Sequence, residues 1–429
     1  MSAKHEDSTS AFKASDEPAN PLRWVVVAML FFATLINYLD RQSLSVLIPV
    51  LSERFRISNV GYSQIVFVFM FAYTASNLVA GYIVDRLGSK IGYALFMLWW
   101  SIASILQALA GGVYSFGFYR FLLGIGEAGN WPAAVKVVAE WFPARERALA
   151  SGIFNSGASI GAIIAPPALV WLYLRFGWQS AFIVVGMSGL LWLLVWWLIY
   201  RPAATSDLRL QPTIPPQRLL RMRWVWYFTF SKLLMDPVWY FYVFWIPQYM
   251  KEVYRFDIGT IGKVAWIPFC TASLGNFLGG ATSAYLVKRM PTIQARRLGY
   301  GLFACLLTAA IPTAFVSNPK IAIALISLAT LGYTGALANQ LAIPADLFGG
   351  GMAASIWGLA SAGAGFGGMI FSLLTGWLID RYSYKPAFIL FGILPVLSAS
   401  VTSYLLRRVP NDEFAVGNLR ANIHNELTR

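Results

Sequence analysis

Charge is what this sequence has least of. Only 12% of its 429 residues are Asp, Glu, Lys or Arg, about half the share of a soluble domain, while 58% are hydrophobic. Such a composition reads as a polytopic membrane protein. Histidine is nearly absent: the two present, His5 and His424, sit near the two ends of the chain. A histidine base or histidine metal ligand within the apolar body is therefore excluded. The two cysteines, Cys270 and Cys305, both fall in apolar stretches and form neither a disulfide framework nor a metal-ligand spacing. No cofactor and no metal are expected. Acidic residues are also scarce, 19 against 33 basic ones. The resulting charge of +14 does not imply a nucleic-acid partner, because the basic residues are spread over many connections instead of forming one exposed patch.

Long apolar runs are what the sequence does have. Twelve can be marked, at about 23–50, 60–84, 91–110, 113–138, 147–173, 178–200, 223–250, 258–287, 297–316, 320–345, 352–378 and 386–407. Runs of roughly 20 apolar residues match the thickness of a bilayer core. They must be helices, since that core offers backbone groups no partner outside the segment and the runs are too long for barrel strands. The expected fold class is thus an all-α membrane protein of twelve transmembrane helices. With the N-terminus placed inside, the tails and even-numbered connections hold 20 Lys and Arg and the opposite connections hold 8. Positive residues accumulate on the cytoplasmic side, so both termini are expected there.

The longest internal connection, 201–222, is rich in Pro and Arg and follows six runs, which marks it as a linker. The two halves resemble each other. A shift of 206 residues places Gly152, Gly157, Gly161 and Phe182 on Gly358, Gly363, Gly367 and Phe388. The expected organisation is a cytoplasmic tail (1–22), a six-helix bundle (23–200), a cytoplasmic linker (201–222), a second bundle (223–408) and a cytoplasmic tail (409–429). Gly-x-x-x-Gly faces recur in both halves and let helices approach closely. Gly157-Ala-Ser-Ile-Gly161 also matches a hydrolase elbow, but that elbow needs a strand-to-helix turn and a histidine base, so helix packing is the better reading.

The ionisable residues within the spans are candidate functional groups, because charge at that depth is expensive. Asp40 and Arg41 are adjacent in span one. Thr34, Tyr38, Arg41 and Ser45 recur at helical spacing, a polar stripe suited to a wet cavity. The guanidinium of Arg41 can hold a carboxylate through two parallel hydrogen bonds. Asp40 points about 100° away, toward a neighbouring helix. Arg120 and Glu127 are seven residues apart and share a face of span four. There, burial and nearby arginine oppose each other in setting the proton affinity of Glu127, with Arg120 either its counter-ion or a functional group. Lys232 and Asp236 are i, i+4 on span seven and read either as a pair that neutralises itself or as a gate beside the site. Trp239 and Tyr242, followed by Trp245, are packing aromatics or a surface for a sugar ring. Asn339 and Gln340 in span ten are packing groups or hydroxyl readers.

Gly81-Tyr-Ile-Val-Asp85-Arg86-Leu-Gly88-Ser-Lys90 follows span two. It resembles the loop signature of the Major Facilitator Superfamily, whose plan is two six-helix halves with substrate bound between them. Asn37-Tyr-Leu-Asp-Arg41, Arg120-Phe-Leu-Leu-Gly-Ile-Gly-Glu127 with Trp131-Pro132, and Glu140-Trp-Phe-Pro143 narrow the match. Together they resemble the anion:cation symporter branch, and the Ile153–Pro167 segment looks most like hexuronate transporters. The resemblance covers about residues 22–408. It implies proton carriage by Asp40 and Glu127, with H+ as coupling ion, and substrate carboxylate binding by Arg41. It places Tyr38 and Tyr73 in the site, and conformational locking at Gly81, Asp85, Arg86, Gly88 and Lys90. Ala158 stands where galactonate-type members carry glutamine, which leaves the particular sugar acid open. The chain is thus expected to be a monomer in the inner membrane, with a small anion and the lipid bilayer as partners, and not an enzyme. A drug exporter would favour carboxylates without buried arginine, and a transport-like sensor would need a large cytoplasmic domain.

Overall fold

The computed structural model describes residues 22–142, 144–201, 222–348 and 350–407. Apart from their boundary residues, the expected tails and linker lie outside these. Among the described residues every regular element is helical. The helices are α1 (Leu22–Phe55), α2 (Asn59–Leu106), α3 (Val113–Glu127), α4 (Asn130–Trp141), α5 (Ala144–Phe176), α6 (Trp178–Ile199) and α7 (Arg223–Tyr254). They continue as α8 (Ile258–Val264), α9 (Ile267–Val287), α10 (Thr292–Leu306), α11 (Ala310–Thr313), α12 (Pro319–Phe348), α13 (Gly350–Arg381) and α14 (Tyr384–Arg407). Seven helical stretches among them are long and apolar enough to cross a membrane.

Several apolar runs differ from the helices that carry them. The runs 60–84 and 91–110 lie on one element, α2, whose pieces meet at Gly88. There the backbone is non-helical (φ 78°, ψ 160°), a conformation glycine adopts without a Cβ clash. The chain folds back so tightly that a Cβ on Gly92 would lie 2.9 Å from Val84 Cα. The run 113–138 is broken after Glu127, so that α3 and α4 are separate. The run 258–287 is likewise split between α8 and α9. Helices α1 and α7 outlast their apolar runs, ending at Phe55 and Tyr254. Each is followed by a left-handed arginine, Arg56 (φ 52°) or Arg255 (φ 58°). Then a side-chain cap, Ser58 or Asp257, accepts from the backbone N–H of Gly61 (3.0 Å) or Thr260 (2.9 Å) and starts the next helix.

These matched turns belong to a wider repeat. Helix α5 packs on α1 so closely that a Cβ on Gly157 would sit 2.3 Å from the Phe31 carbonyl oxygen, and one on Gly161 2.8 Å from that of Leu35. In the second half, Gly363 and Gly367 of α13 bring that helix equally close to α7 at Thr229 and Leu233 (2.4 and 2.5 Å). Ser159 lies within the continuous helix α5, so the Gly-x-Ser-x-Gly stretch is a packing face and not an elbow. The core is apolar, but so is much of the exterior, and a few charges are buried within. Leu78, Leu198 and Phe277 are over 70% exposed, whereas Asp40 and Glu127 are wholly buried.

Gly161→Leu should therefore force α5 off α1 and cost at least about 1–3 kcal/mol through overpacking. Gly152→Ala, on the same helix with open space around it, should be neutral or stabilise by up to about 1 kcal/mol through the helix preference of alanine. Melting temperatures of the two variants in detergent check this contrast.

Candidate functional site

Near the middle of α1, the side chains of Asp40 and Arg41 part, because successive residues on a helix do not share a face. Arg41 reaches α3 and donates to one oxygen of Glu127, from Nε at 3.0 Å and Nη2 at 2.8 Å. Its guanidinium also lies over three rings, with Tyr73, Tyr38 and Phe69 centroids at 4.7, 5.4 and 5.7 Å. Cations are attracted to the faces of aromatic rings at such distances. Both members of the pair are buried.

Glu127 is the last residue of α3, and the break between α3 and α4 sets its position. Glycines let this stretch lie directly on α2. A Cβ on Gly126 would come within 2.7 Å of Trp100, and one on Gly129 would overlap the Phe96 ring at 2.1 Å. Just beyond the break, Asn130 accepts from the Tyr93 hydroxyl (2.6 Å) and donates to Thr34 Oγ1 (3.3 Å). Thr34 is thus held inside the first half, and the expected cavity stripe on α1 is reduced to Tyr38, Arg41 and Ser45.

Arg120 lies within electrostatic reach of Glu127, but the direct hydrogen bonds to that carboxylate come from Arg41. Arg120 donates to the Arg41 carbonyl and to Ser43 Oγ, each at 3.3 Å, and lies over Phe69 at 5.6 Å. Arg41 occupies the place beside Glu127 because its shorter approach from α1 supplies two hydrogen bonds to one oxygen. A small cleft next to the pair is lined by Arg41, Ser45, Tyr62, Arg120 and Phe244, the last from the second half. Asp40 faces the other way, wholly buried, and accepts from Ser104 Oγ of α2.

In the second half, Lys232 and Asp236 of α7 form a buried pair at 2.7 Å. Tyr333 of α12 donates to Asp236 at 3.2 Å and stacks on Trp239 with ring centroids 5.1 Å apart. Trp239 in turn comes close to Tyr38 of α1, whose ring lies under the Arg41 guanidinium, so this cluster faces Arg41 across the two halves. Tyr242 does not. It is wholly buried in the second-half core beside Phe241. Tyr240 stands four residues after Asp236 and so shares its face; its ring stacks with Phe244 of the cleft. Asn339 and Gln340 are also turned from the cavity. Asn339 donates to the carbonyls of Gly335 and Gly279, and Gln340 donates to Ser231 and Tyr300. Both knit α12 to its neighbours because it has helices on several sides, and polarity alone does not say which it faces.

Of the loop-signature residues, Asp85 pairs with Lys136 of α4 at 2.9 Å, Arg86 donates to Tyr82, and Lys90 lies over Trp197 at 5.0 Å. Gly81 packs near Pro132 of α4, and Gly88 supplies the joint described above. Lys136 was not singled out from the sequence, although a lone cation within an apolar run was the signal for it. Ser104 and Tyr333 carried no such signal.

At the end of the molecule where α1 meets α2, polar contacts join the two halves. Lys251 pairs with Glu53 at 2.5 Å and donates to the Pro49 carbonyl. Asp380 accepts from the N–H groups of Asn59 and Val60 at the start of α2 (3.2 and 2.8 Å), Asn59 donates to Glu252 (3.3 Å), and Tyr62 donates to the Phe244 carbonyl (2.8 Å). An acid at a helix N-terminus is favoured by both the free N–H groups and the helix dipole.

Arg41→Met leaves Glu127 buried without its partner and should cost about 3–5 kcal/mol. Adding Glu127→Gln should recover most of that loss. Thermal unfolding of the single and double variants reads the difference.

The family model described as the Major Facilitator Superfamily matches residues 30–361. The hexuronate transporter of Escherichia coli K12 is 32% identical over 415 residues, spanning 92% of this chain and 96% of that protein. The galacturonate transporter of Dickeya chrysanthemi is 33% identical over 331 residues, spanning 72% of this chain and 96% of that protein. Among solved structures, a bacterial homologue of the human lysosomal transporter Spinster, inward-facing and unoccupied, superposes with a TM-score of 0.69 at 18% identity, over 95% of this chain and 98% of the other. A D-xylose–proton symporter superposes with a TM-score of 0.71 at 14% identity, over 89% of this chain and 97% of the other. At those identities the two structures share the fold.

Proposed function

Because the chain belongs to the Major Facilitator Superfamily and is a multi-pass membrane transporter and not an enzyme, we propose that it imports a small sugar-acid anion, a hexuronate above all, together with protons. In this reading the fold makes twelve spans, in an inner membrane with both termini in the cytoplasm. The two pieces of α2 count separately, while α3 with α4, α8 with α9, and α10 with α11 each make one crossing.

The observation that carries the proposal is the pair between Arg41 and Glu127. A bidentate guanidinium is the natural receptor for a carboxylate, and here Glu127 occupies it. A proton taken up by Glu127 removes its charge and frees Arg41 for the carboxylate of the cargo. Loss of that proton on the other side lets Glu127 reclaim Arg41 and expel the cargo. Proton and anion are thus bound together and released together. Tyr38, Tyr73, Trp239 and Tyr240 surround the cargo's ring, and Lys232 with Asp236 contributes a neutral second-half wall. Each anion entering against an inside-negative potential is opposed by about 2.3 kcal/mol per 100 mV. One proton removes that opposition and a second, on Asp40, turns it into a driving force. With the termini inside, the contacts of Glu53, Asn59 and Tyr62 with the second half close the outer face, the arrangement from which cargo leaves inward.

Proteoliposomes test this reading. A pH gradient, acid outside, should drive accumulation of glucuronate or galacturonate and not of the neutral sugars. Glu127→Gln should lose accumulation while retaining counterflow exchange, and Arg41→Ala should lose both. Accumulation by Glu127→Gln under the gradient, or binding by Arg41→Ala, would overturn the assignment.

A further inference from the structure

The first half buries polar atoms that the substrate route does not use. Asn37 of α1 is wholly buried, and neither its Nδ2 nor its Oδ1 has a hydrogen-bond partner among the described residues. It is bracketed by two contacts that join α1 to the α3–α4 stretch, Thr34 with Asn130 at 3.3 Å and Arg41 with Glu127 at 2.8 Å. At about 100° per residue its side chain projects between those of Asp40 and Arg41. The two carboxylates that α1 and α3 bring into this region are each half satisfied. One oxygen of Asp40 is held by Ser104 and one of Glu127 by Arg41, whereas Asp40 Oδ2 and Glu127 Oε1 are buried without a partner. Ser101, one turn before Ser104 on α2, has its hydroxyl in the same condition.

Buried polar atoms are costly unless hydrogen-bonded, and clusters of them hold ordered water, each molecule making about three such bonds. We propose that Asn37 anchors a buried water site between Asp40 and Glu127, through which the two carboxylates exchange a proton at the Glu127 oxygen that Arg41 does not hold. The inference rests on the proton-coupled reading above. A proton leaves protonated Asp40 Oδ2 for a water, and that water passes one of its own to Glu127 Oε1, so charge and atoms balance. The amide of Asn37 both donates and accepts, and so holds a water in either direction of transfer.

The charged groups around the site are few. Helix α1 supplies Asp40 and Arg41, and α3 supplies Arg120 and Glu127. Helix α2 brings the hydroxyls of Ser101 and Ser104, and α6 brings the carbonyl of Phe182, which accepts from Ser104 at 3.3 Å. Helix α6 contains no charged residue, and the charged residues of α5 lie at its two ends. On α4, Lys136 is paired with Asp85, and Glu140 accepts from Ser89 and Tyr200. On α7, Lys232 and Asp236 neutralise each other. Among the described residues, Asn37 lies between the side-chain directions of Asp40 and Arg41 and carries both an unpartnered donor and an unpartnered acceptor.

The test compares pH-gradient-driven uptake with counterflow exchange in proteoliposomes. Asn37→Leu, similar in size and without polar atoms, should keep counterflow within about twofold but lose about tenfold or more of the gradient-driven rate, as expected when a positioned proton-transfer group is removed. Asn37→Ser, which leaves a hydroxyl and room for water, should restore most of it, a rescue that a packing role would not produce. Asn37→Val replaces the leucine variant if the latter does not fold. If wild-type uptake ignores the gradient, the proton-coupled reading fails and takes this inference with it. If wild type responds and Asn37→Leu responds equally, only the water site is overturned.

Discussion

A guanidinium and a carboxylate buried together between α1 and α3 impose the constraint to which the rest of the first half answers. Neither charge is tolerable alone at that depth, and the pair is stable only while its geometry is maintained. The glycines at 126 and 129 press the α3–α4 break against α2. The break puts Glu127 at the end of its helix, and three aromatic rings enclose the guanidinium. In the proposed cycle Arg41 and Glu127 either hold each other or are neutralised in turn by an anion and a proton, and that alternation is what would couple the two ligands.

The same economy recurs elsewhere. Lys232 is satisfied by Asp236, Lys136 by Asp85, and Arg296 by Asp346 at 2.7 Å. Each such pair is local, so the two halves remain free to move against each other. The contacts between halves are of another kind: Lys251 with Glu53, and Asp380 with the start of α2, engage groups near helix ends. Pairs in such positions form and break with little penalty. The close glycine contacts of α5 on α1 and of α13 on α7 keep each half rigid meanwhile.

Much of this was readable from the chain. The repeat offset of 206 residues rests on glycines that the fold uses for one purpose, the approach of α5 and α13 to their partners. The candidate pair Asp40 and Arg41 stood out because charge in an apolar run is expensive. Errors arose where a one-dimensional pattern had to stand for a direction. The shared face left Arg120 as either counter-ion to Glu127 or functional group, and only the fold shows that the hydrogen bonds to Glu127 come from Arg41, on another helix. Trp239, Tyr242 and Trp245 are three residues apart, and such a face drifts by about 60° with each step, so Tyr242 falls in the core. Asn339 and Gln340 were polar and deep, yet they serve neighbouring helices.

The sequence by itself determined the helical class, the apolar exterior, the two-fold repeat and which few ionisable residues lie within the apolar runs. Those follow from composition and spacing, since each is a property of a single helix or of its solvent. Only the tertiary structure decided the partners: Arg41 with Glu127 and Asp40 with Ser104, while the buried Asn37 amide finds none among the described residues. Which helix a buried polar group meets depends on how the helices cross and how closely small residues let them approach, and no single segment carries that information.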